Sequence, residues 1–194
     1  MSTKPNLLFI FTDQQRPDTI GCYGNKIIST PNLNKLADKS FVFENAYVTQ
    51  PVCTPARSSI MTGLYPHTNG CTTNNSTIDP ATKTVAELVS DEYVCGYYGK
   101  WHLGDEIIPQ HGFDKRVSID DGYRPWYTKK EYLTKFSEYY YFLLDKGYKP
   151  DSEVEGAKIF GRDLTTRLPE EHTKARFLGK EASRFIRDNK DNPF

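Results

Sequence analysis

The residues with the clearest chemical potential lie between Pro51 and Gly63, where a cysteine, a proline and an arginine occupy alternate positions. Thr54 is a good N-cap residue and Pro55 suits the first helical position, so the sequence predicts a short helix that ends at Gly63. Cys53 would then lie at a helix N-terminus, where free N–H groups and the helix dipole favour an anion.

Three further side chains can act on the same anion. Arg57 lies one turn into the predicted helix and carries a planar fork of hydrogen-bond donors. Lys100 and His102 follow a predicted strand, Tyr93–Tyr98, and residues two apart at a strand end can point to the same side. Together with Cys53, these groups predict a site for an anionic ester, although a structural cysteine and a surface lysine are the plainer alternatives.

A second group of candidate residues follows the apolar run Leu7–Phe11, which predicts a strand buried on both faces of a parallel sheet. Asp13 and Gln14 come just after it, and in open α/β sheets sites lie at the carboxyl ends of strands. Their oxygens are the ligands that a hard divalent cation prefers. Alternatively, these polar side chains only form the turn that ends the strand.

The elements that must position these residues alternate along the chain. The sequence predicts helices that begin at Pro31, Val85, Glu131 and near Leu168, and further strands over Phe41–Val48 and Tyr93–Tyr98. It predicts a loop over 151–167. We therefore expect an α/β fold with a mostly parallel central sheet flanked by helices.

The composition gives no support for several classes of partner. The chain has 25 basic and 25 acidic residues, so a net charge of zero offers no electrostatic reason to expect nucleic acid or an anionic membrane. No apolar run is long enough to span a bilayer, and residues 1–6 show no secretory signal. We therefore expect a cytoplasmic protein with reduced cysteines. These are Cys22, Cys53, Cys71 and Cys95.

Three segments resemble the type I sulfatases. Cys53 to Gly63 resembles their signature, Cys-x-Pro-x-Arg followed by small, apolar and Thr-Gly positions, and Gly-Lys-Trp-His-Leu-Gly at 99–104 resembles their second motif. Residues 6–24 resemble the N-terminal metal-binding segment, with Gln14 where most members have a second aspartate. That Asp-Gln version is similar to the choline-sulfatase and phosphonate-monoester-hydrolase branches.

The resemblance implies an alkaline-phosphatase-like fold and the hydrolysis of sulfate esters. In this family the signature cysteine, here Cys53, is oxidised to Cα-formylglycine by a formylglycine-generating enzyme, and its hydrated aldehyde is the nucleophile. The resemblance also implies that Asp13, Gln14 and residue 53 bind Ca²⁺, or alternatively Mg²⁺ or Mn²⁺.

The same resemblance implies roles for the cationic residues. Lys100 would bridge the formylglycine and the sulfate, His102 would orient the nucleophilic side, and Arg57 would offset developing charge. Asn74 is a predicted substrate contact, because its loop returns near the active site in sulfatases. The expected substrate is a small-molecule or carbohydrate sulfate ester.

The resemblance covers residues 1–194 as the N-terminal portion of a sulfatase catalytic domain, with 120–167 as a loop or helix insertion. Family members carry further metal ligands beyond the position of Phe194, so we expect a fold that is incomplete at its C-terminal end. Three functions stay open: a sulfatase, a phosphonate monoester or phosphodiester hydrolase with the same nucleophile, and a non-catalytic truncated form.

Overall fold

The structure is a computed structural model that describes residues 4–154, 157–158 and 168–194. The chain divides into two compact units, which are described separately. The smaller unit is Leu7–Val48, and the larger unit holds the residues before it and Thr49–Phe194. Within the described ranges, no helix is long and apolar enough to cross a membrane.

The smaller unit is built from helical turns. It contains 3₁₀-helices at Pro17–Thr19 and Gly21–Tyr23 and the helix α1, Pro31–Ala37. The predicted start of α1 at Pro31 is confirmed. The Thr30 hydroxyl before it accepts the N–H of Gly21 at 2.8 Å, so it ties the two turns together instead of capping α1.

The predicted strands Leu7–Phe11 and Phe41–Val48 are wrong for this structure. Neither segment belongs to a sheet, and the large apolar side chains of both are exposed. A buried strand needs neighbours on both sides to pair its backbone N–H and C=O groups. The described strands pair only with one another, so these two segments have no such neighbours.

The larger unit contains most of the regular structure. Its helices are α2 (Cys53–Thr62), α3 (Pro66–Asn69), α4 (Val85–Leu88), α5 (Glu138–Asp145) and α6 (Lys174–Asp188), and its strands are β1 (Gly96–Tyr98), β2 (Lys115–Val117), β3 (Glu153–Val154) and β4 (Ala157–Lys158). Strands β1 and β2 are parallel, with Gly96 opposite Lys115. This parallel pair with flanking helices confirms the predicted α/β class.

Local capping decides where the later helices begin. The Thr84–Glu87 capping box is present, with the Thr84 N–H bonded to the Glu87 carboxylate at 2.9 Å, and α4 ends at Leu88 rather than near Asp91. The continuous helix predicted from Glu131 to Lys146 is wrong. It is a 3₁₀-helix, Lys130–Thr134, followed by α5.

The break before α5 has a clear cause. The Ser137 N–H and hydroxyl both bond to the Asp121 carboxylate at 2.6 Å, and the hydroxyl accepts the Tyr140 N–H at 3.1 Å. These bonds fix an extended residue before α5 and start a new helix there. Thr173 caps α6 in the same way, so that helix starts at Lys174, after a 3₁₀-helix at Glu170–His172.

The predicted loop over 151–167 is described only in part. Strand β3 pairs antiparallel with β4 inside it, and residues 155–156 and 159–167 lie outside the described residues. The buried cluster nearest the signature segment is formed by apolar side chains from α2 and the loops after it: Met61, Cys71, Ile78, Trp101 and Leu103.

Candidate active site

The signature segment forms a helix whose first residue is Cys53. Helix α2 begins two residues earlier than predicted, because the Val52 carbonyl already accepts the Ala56 N–H at 2.9 Å. Thr54 is therefore not the N-cap residue. Cys53 still lies in the first turn, where backbone N–H groups have no partner within the helix. The end of α2 at Gly63, which has φ of 70°, is as predicted.

A loop distant in sequence completes the start of α2. The Asn74 side-chain oxygen accepts the Thr54 N–H at 3.0 Å, and the Asn75 N–H donates to the Thr54 hydroxyl at 3.3 Å. The structure therefore places Asn74 beside Cys53, as a partner of the helix backbone. A contact between Asn74 and substrate stays a prediction.

Lys100 is brought next to the cysteine. Its Nζ lies 3.8 Å from the Sγ of Cys53, although 47 residues separate them in sequence. The Lys100 carbonyl accepts a bond from Arg57 Nη1 at 2.8 Å and one from the Tyr97 hydroxyl at 2.5 Å. Arg57, which is only 6% exposed, thus links α2 to the loop after β1.

His102 lies on the same loop in an uncommon conformation. Its φ is 54°, in the left-handed region, which costs roughly 1–3 kcal/mol for a non-glycine residue. Its carbonyl accepts the Thr54 hydroxyl at 3.0 Å, and its Nε2 lies 3.0 Å from the Asn75 side-chain oxygen. The His102 ring stacks on Tyr123 with 3.6 Å between ring centroids.

Two residues near this loop were not predicted from the sequence. Tyr123 lies against His102, and its ring centroid is 5.2 Å from the Nζ of Lys100. The Glu106 carboxylate is buried and accepts the N–H groups of Trp101 and His102 at 2.8 and 2.6 Å. The sequence holds only a weak signal for Glu106. This acidic residue is followed directly by two isoleucines, which favour a buried position.

Burial shapes the protonation of this region. It raises the pKa of Glu106 to about 7, although the two N–H bonds and the charge of Arg57 act in the opposite direction. Burial also raises the pKa of Tyr97 to about 12, so its hydroxyl stays protonated and can donate to the Lys100 carbonyl.

The predicted metal ligands belong to both units. Asp13 and Gln14 lie exposed in a bend of the smaller unit, and Cys53 belongs to the larger unit. The carboxylate and amide oxygens of Asp13 and Gln14 fit a hard cation in chemical type. In the part of the chain that the structure describes, no group of three His, Cys, Asp or Glu side chains could hold a metal ion.

The fold and this site define a class of protein, an α/β protein with a cysteine at a helix N-terminus beside lysine and arginine. Residues 5–194 match the family model described as Sulfatase. The chain belongs to the sulfatase family.

Two curated relatives illustrate the similarity. The chain is 41% identical over 136 residues to the "Uncharacterized sulfatase YidJ" of Escherichia coli, which covers 70% of this chain and 27% of that protein. It is 35% identical over 158 residues to an N-acetylglucosamine-6-O-sulfatase of Bacteroides thetaiotaomicron, covering 81% of this chain and 27% of that protein. The chain therefore spans about a quarter of the length of these relatives.

Solved structures agree on the fold. One, bound to its substrate D-glucosamine-2-N,6-O-disulfate, has a TM-score of 0.56 and 32% identity over 62% of this chain and 24% of its own. The phosphonate monoester hydrolase of Agrobacterium radiobacter has a TM-score of 0.69 over 94% of this chain and 38% of its own. Its identity is 21%, so that likeness concerns the fold alone.

Proposed function

We propose that the protein containing this chain is a sulfuric ester hydrolase whose nucleophile is made from Cys53. The observation that carries this proposal is the 3.8 Å separation between Cys53 Sγ and Lys100 Nζ at the N-terminus of α2. The Lys100 ammonium lies beside the atom that would react, and that atom belongs to the first residue of α2, at the positive end of the helix dipole. Both features favour an anionic group there.

Residue 53 would act as Cα-formylglycine, whose hydrated form would supply two hydroxyl groups on one carbon. One hydroxyl would attack sulfur as the ester bond breaks and the alcohol leaves. The second would lose its proton, so that the aldehyde re-forms as the C–O bond to sulfate breaks. The chain's own residues supply electrostatic stabilisation. Lys100 offsets the negative charge that builds on the sulfate oxygens, and such preorganised charges act most strongly where water is excluded. Arg57 contributes its positive charge beside Lys100, because its Nη1 donates to the Lys100 carbonyl at 2.8 Å.

His102 would orient the nucleophilic side of the site. Its ring is buried, with Nε2 on the Asn75 side-chain oxygen and one face on Tyr123, so its position is fixed before substrate arrives.

The metal of this proposal is Ca²⁺, with Mg²⁺ or Mn²⁺ as alternatives. Asp13 and Gln14 would hold it, because a carboxylate and an amide oxygen suit a hard cation. The ion would supply Lewis-acid polarisation of the ester oxygens.

The substrate class that we favour is a carbohydrate sulfate ester. The relatives named above include an N-acetylglucosamine-6-O-sulfatase, and one solved neighbour holds a glucosamine disulfate. Tyr123 supports this choice, since its aromatic ring lies beside both Lys100 and His102, and apolar faces of sugar rings pack well on such rings. A formylglycine-generating enzyme would be needed to mature Cys53.

The test is peptide mass mapping across residue 53 together with turnover of an aryl sulfate. We expect formylglycine at position 53, and we expect Cys53→Ala to abolish turnover because it removes the nucleophile. Cys22→Ala is the matched control, since this exposed cysteine lies in the smaller unit.

Three outcomes would contradict the proposal. Turnover that survives Cys53→Ala excludes residue 53 as the nucleophile. A fully folded protein with an unmodified thiol and no turnover favours a non-catalytic form. Turnover of an aryl phosphonate well above that of the aryl sulfate favours the phosphonate monoester hydrolase.

A further inference from the structure

The loop between β1 and Glu106 presents Lys100 and His102 of the proposed site on an irregular backbone. It contains no helix or strand, and His102 adopts a left-handed conformation with φ of 54°. Neither regular hydrogen bonding nor local backbone preference holds this shape. The positions of Lys100 and His102 therefore depend on bonds from other parts of the fold.

Glu106 supplies two of these bonds. Its side chain is 2% exposed, and its two oxygens are used on consecutive residues. Oε2 accepts the Trp101 N–H at 2.8 Å and Oε1 accepts the His102 N–H at 2.6 Å. A carboxyl group whose two oxygens accept two successive N–H groups fixes two successive peptide planes.

The same peptide group is held from its other end. The carbonyl of Lys100 and the N–H of Trp101 belong to one peptide plane, and that carbonyl accepts bonds from Arg57 and Tyr97. Glu106 completes the arrangement on the N–H side. Lys100 and the residue after it therefore cannot rotate about this peptide unless one of these bonds breaks.

The next residue is tied directly to the signature helix. The His102 N–H is held by Glu106, and its carbonyl accepts the hydroxyl of Thr54 at 3.0 Å. Thr54 follows Cys53 in α2. The carboxylate thus fixes the loop in the orientation that joins it to the turn carrying Cys53.

We propose that Glu106 is a positioning residue, whose carboxylate holds the amides of Trp101 and His102 and so keeps Lys100 and His102 aligned with the nucleophile at residue 53. The proposal rests on the proposed function for its catalytic consequence. Glu106 acts through the backbone and takes no part in bond making or breaking.

The test is Glu106→Gln in the purified protein that contains this chain. Glutamine has almost the same shape, but it offers one acceptor oxygen and sets an NH₂ group against the second amide N–H. We expect amide hydrogen exchange in residues 99–104 to become about tenfold faster, measured by mass spectrometry. We expect kcat on an aryl sulfate to fall about 10- to 100-fold with little change in KM, because small misplacements of catalytic groups are costly.

Glu87→Gln is the matched control. Its carboxylate also accepts a backbone N–H, that of Thr84 at 2.9 Å, and it lies 3.6 Å from Nδ1 of His111, so its contacts are to α4 and the loop at His111. The control should leave exchange in residues 99–104 and kcat unchanged. If Glu106→Gln behaves like this control, Glu106 is not a positioning residue.

A second variant distinguishes a local effect on residues 99–104 from a general loss of stability. Glu106→Asp keeps both acceptor oxygens on a shorter side chain, so faster exchange confined to residues 99–104 supports the positioning role. Faster exchange spread evenly over the chain overturns it, because that result means a general loss of stability. A wild-type protein that turns over no sulfate ester refutes the proposed function, while the exchange data still decide the role of Glu106.

Discussion

The two units of the chain treat their apolar residues in opposite ways. In the larger unit, Leu103 is fully buried among side chains from α2 and the loops that follow it. In the smaller unit, the apolar run Leu7–Phe11 is exposed, with Leu8 at 59%. Leu103 and the residues of Leu7–Phe11 are all apolar, so apolar character alone does not explain why one is buried and the others are exposed.

The difference lies in where each segment finds its hydrogen-bond partners. Helix α2 makes its backbone bonds within itself, and the side chain of Asn74 pairs the Thr54 N–H at its start. A strand cannot pair its backbone groups within itself, because its N–H and C=O groups bond to neighbouring strands. In the larger unit, side-chain bonds join α2 to the loop after β1, and the described strands beside them form only a two-stranded parallel pair.

The largest expected effect comes from replacing a buried leucine in the larger unit, compared with an exposed leucine in the smaller unit. Leu103→Ala should lower the free energy of unfolding of the 194-residue chain by about 3 kcal/mol, since it leaves a cavity in a packed cluster. Leu8→Ala should change it by less than about 0.5 kcal/mol, because the side chain is already solvated. Urea unfolding followed by circular dichroism measures both. A comparable loss for Leu8→Ala would mean that the segment is buried in solution.

The features that could be predicted from the sequence are those with local causes. Pro31 as a helix start, the Thr84–Glu87 capping box and Gly63 as a helix end all depend on residues within one turn. The proximity of Cys53 and Lys100 was predicted by motif resemblance, and the structure brings them to 3.8 Å.

The features that were missed depend on distant partners. Asp121 interrupts the long helix predicted after Glu131 by bonding Ser137, 16 residues away. The Thr54 hydroxyl, predicted to cap α2, instead donates to the carbonyl of His102, 48 residues away, and α2 begins at Cys53. No local pattern carries such information. The predictions of strands over Leu7–Phe11 and Phe41–Val48 failed for the same reason, since pairing depends on the partner as much as on the strand. The strand predicted over Tyr93–Tyr98 is present as the shorter β1, which has β2 as its partner.

The second prediction concerns pH, because burial shifts the pKa of Glu106 and so makes stability depend on pH. Burial raises the Glu106 pKa from 4.5 to about 7, while N–H bonds and Arg57 oppose the shift and Asp120 adds to it. The folded state then binds more protons than the unfolded state between about pH 4.5 and 7. Stability should fall by on the order of 3 kcal/mol as pH rises through this window.

The measurement is the difference in unfolding free energy between wild type and Glu106→Gln from pH 4 to 8. The difference should slope between the two pKa values and level off outside them. Asp121, whose pKa burial also raises, contributes equally to both proteins and cancels. Glu44→Gln, an exposed position in the smaller unit, should keep the wild-type slope. A flat difference for Glu106→Gln would mean that this carboxyl is solvated.

The smallest expected effect isolates the single bond that starts α2. Asn74→Ala removes the side-chain acceptor of the Thr54 N–H and should cost about 1 kcal/mol, as the loss of a helix cap does. Asn74→Asp keeps an acceptor oxygen and should retain most of the stability. Urea unfolding measures the stability of both variants, and turnover of an aryl sulfate measures any further role of Asn74.

If Asn74→Asp is as stable as wild type but loses turnover, then Asn74 also contacts substrate. If Asn74→Ala is as stable as wild type, the start of α2 does not depend on the bond between Asn74 and the Thr54 N–H.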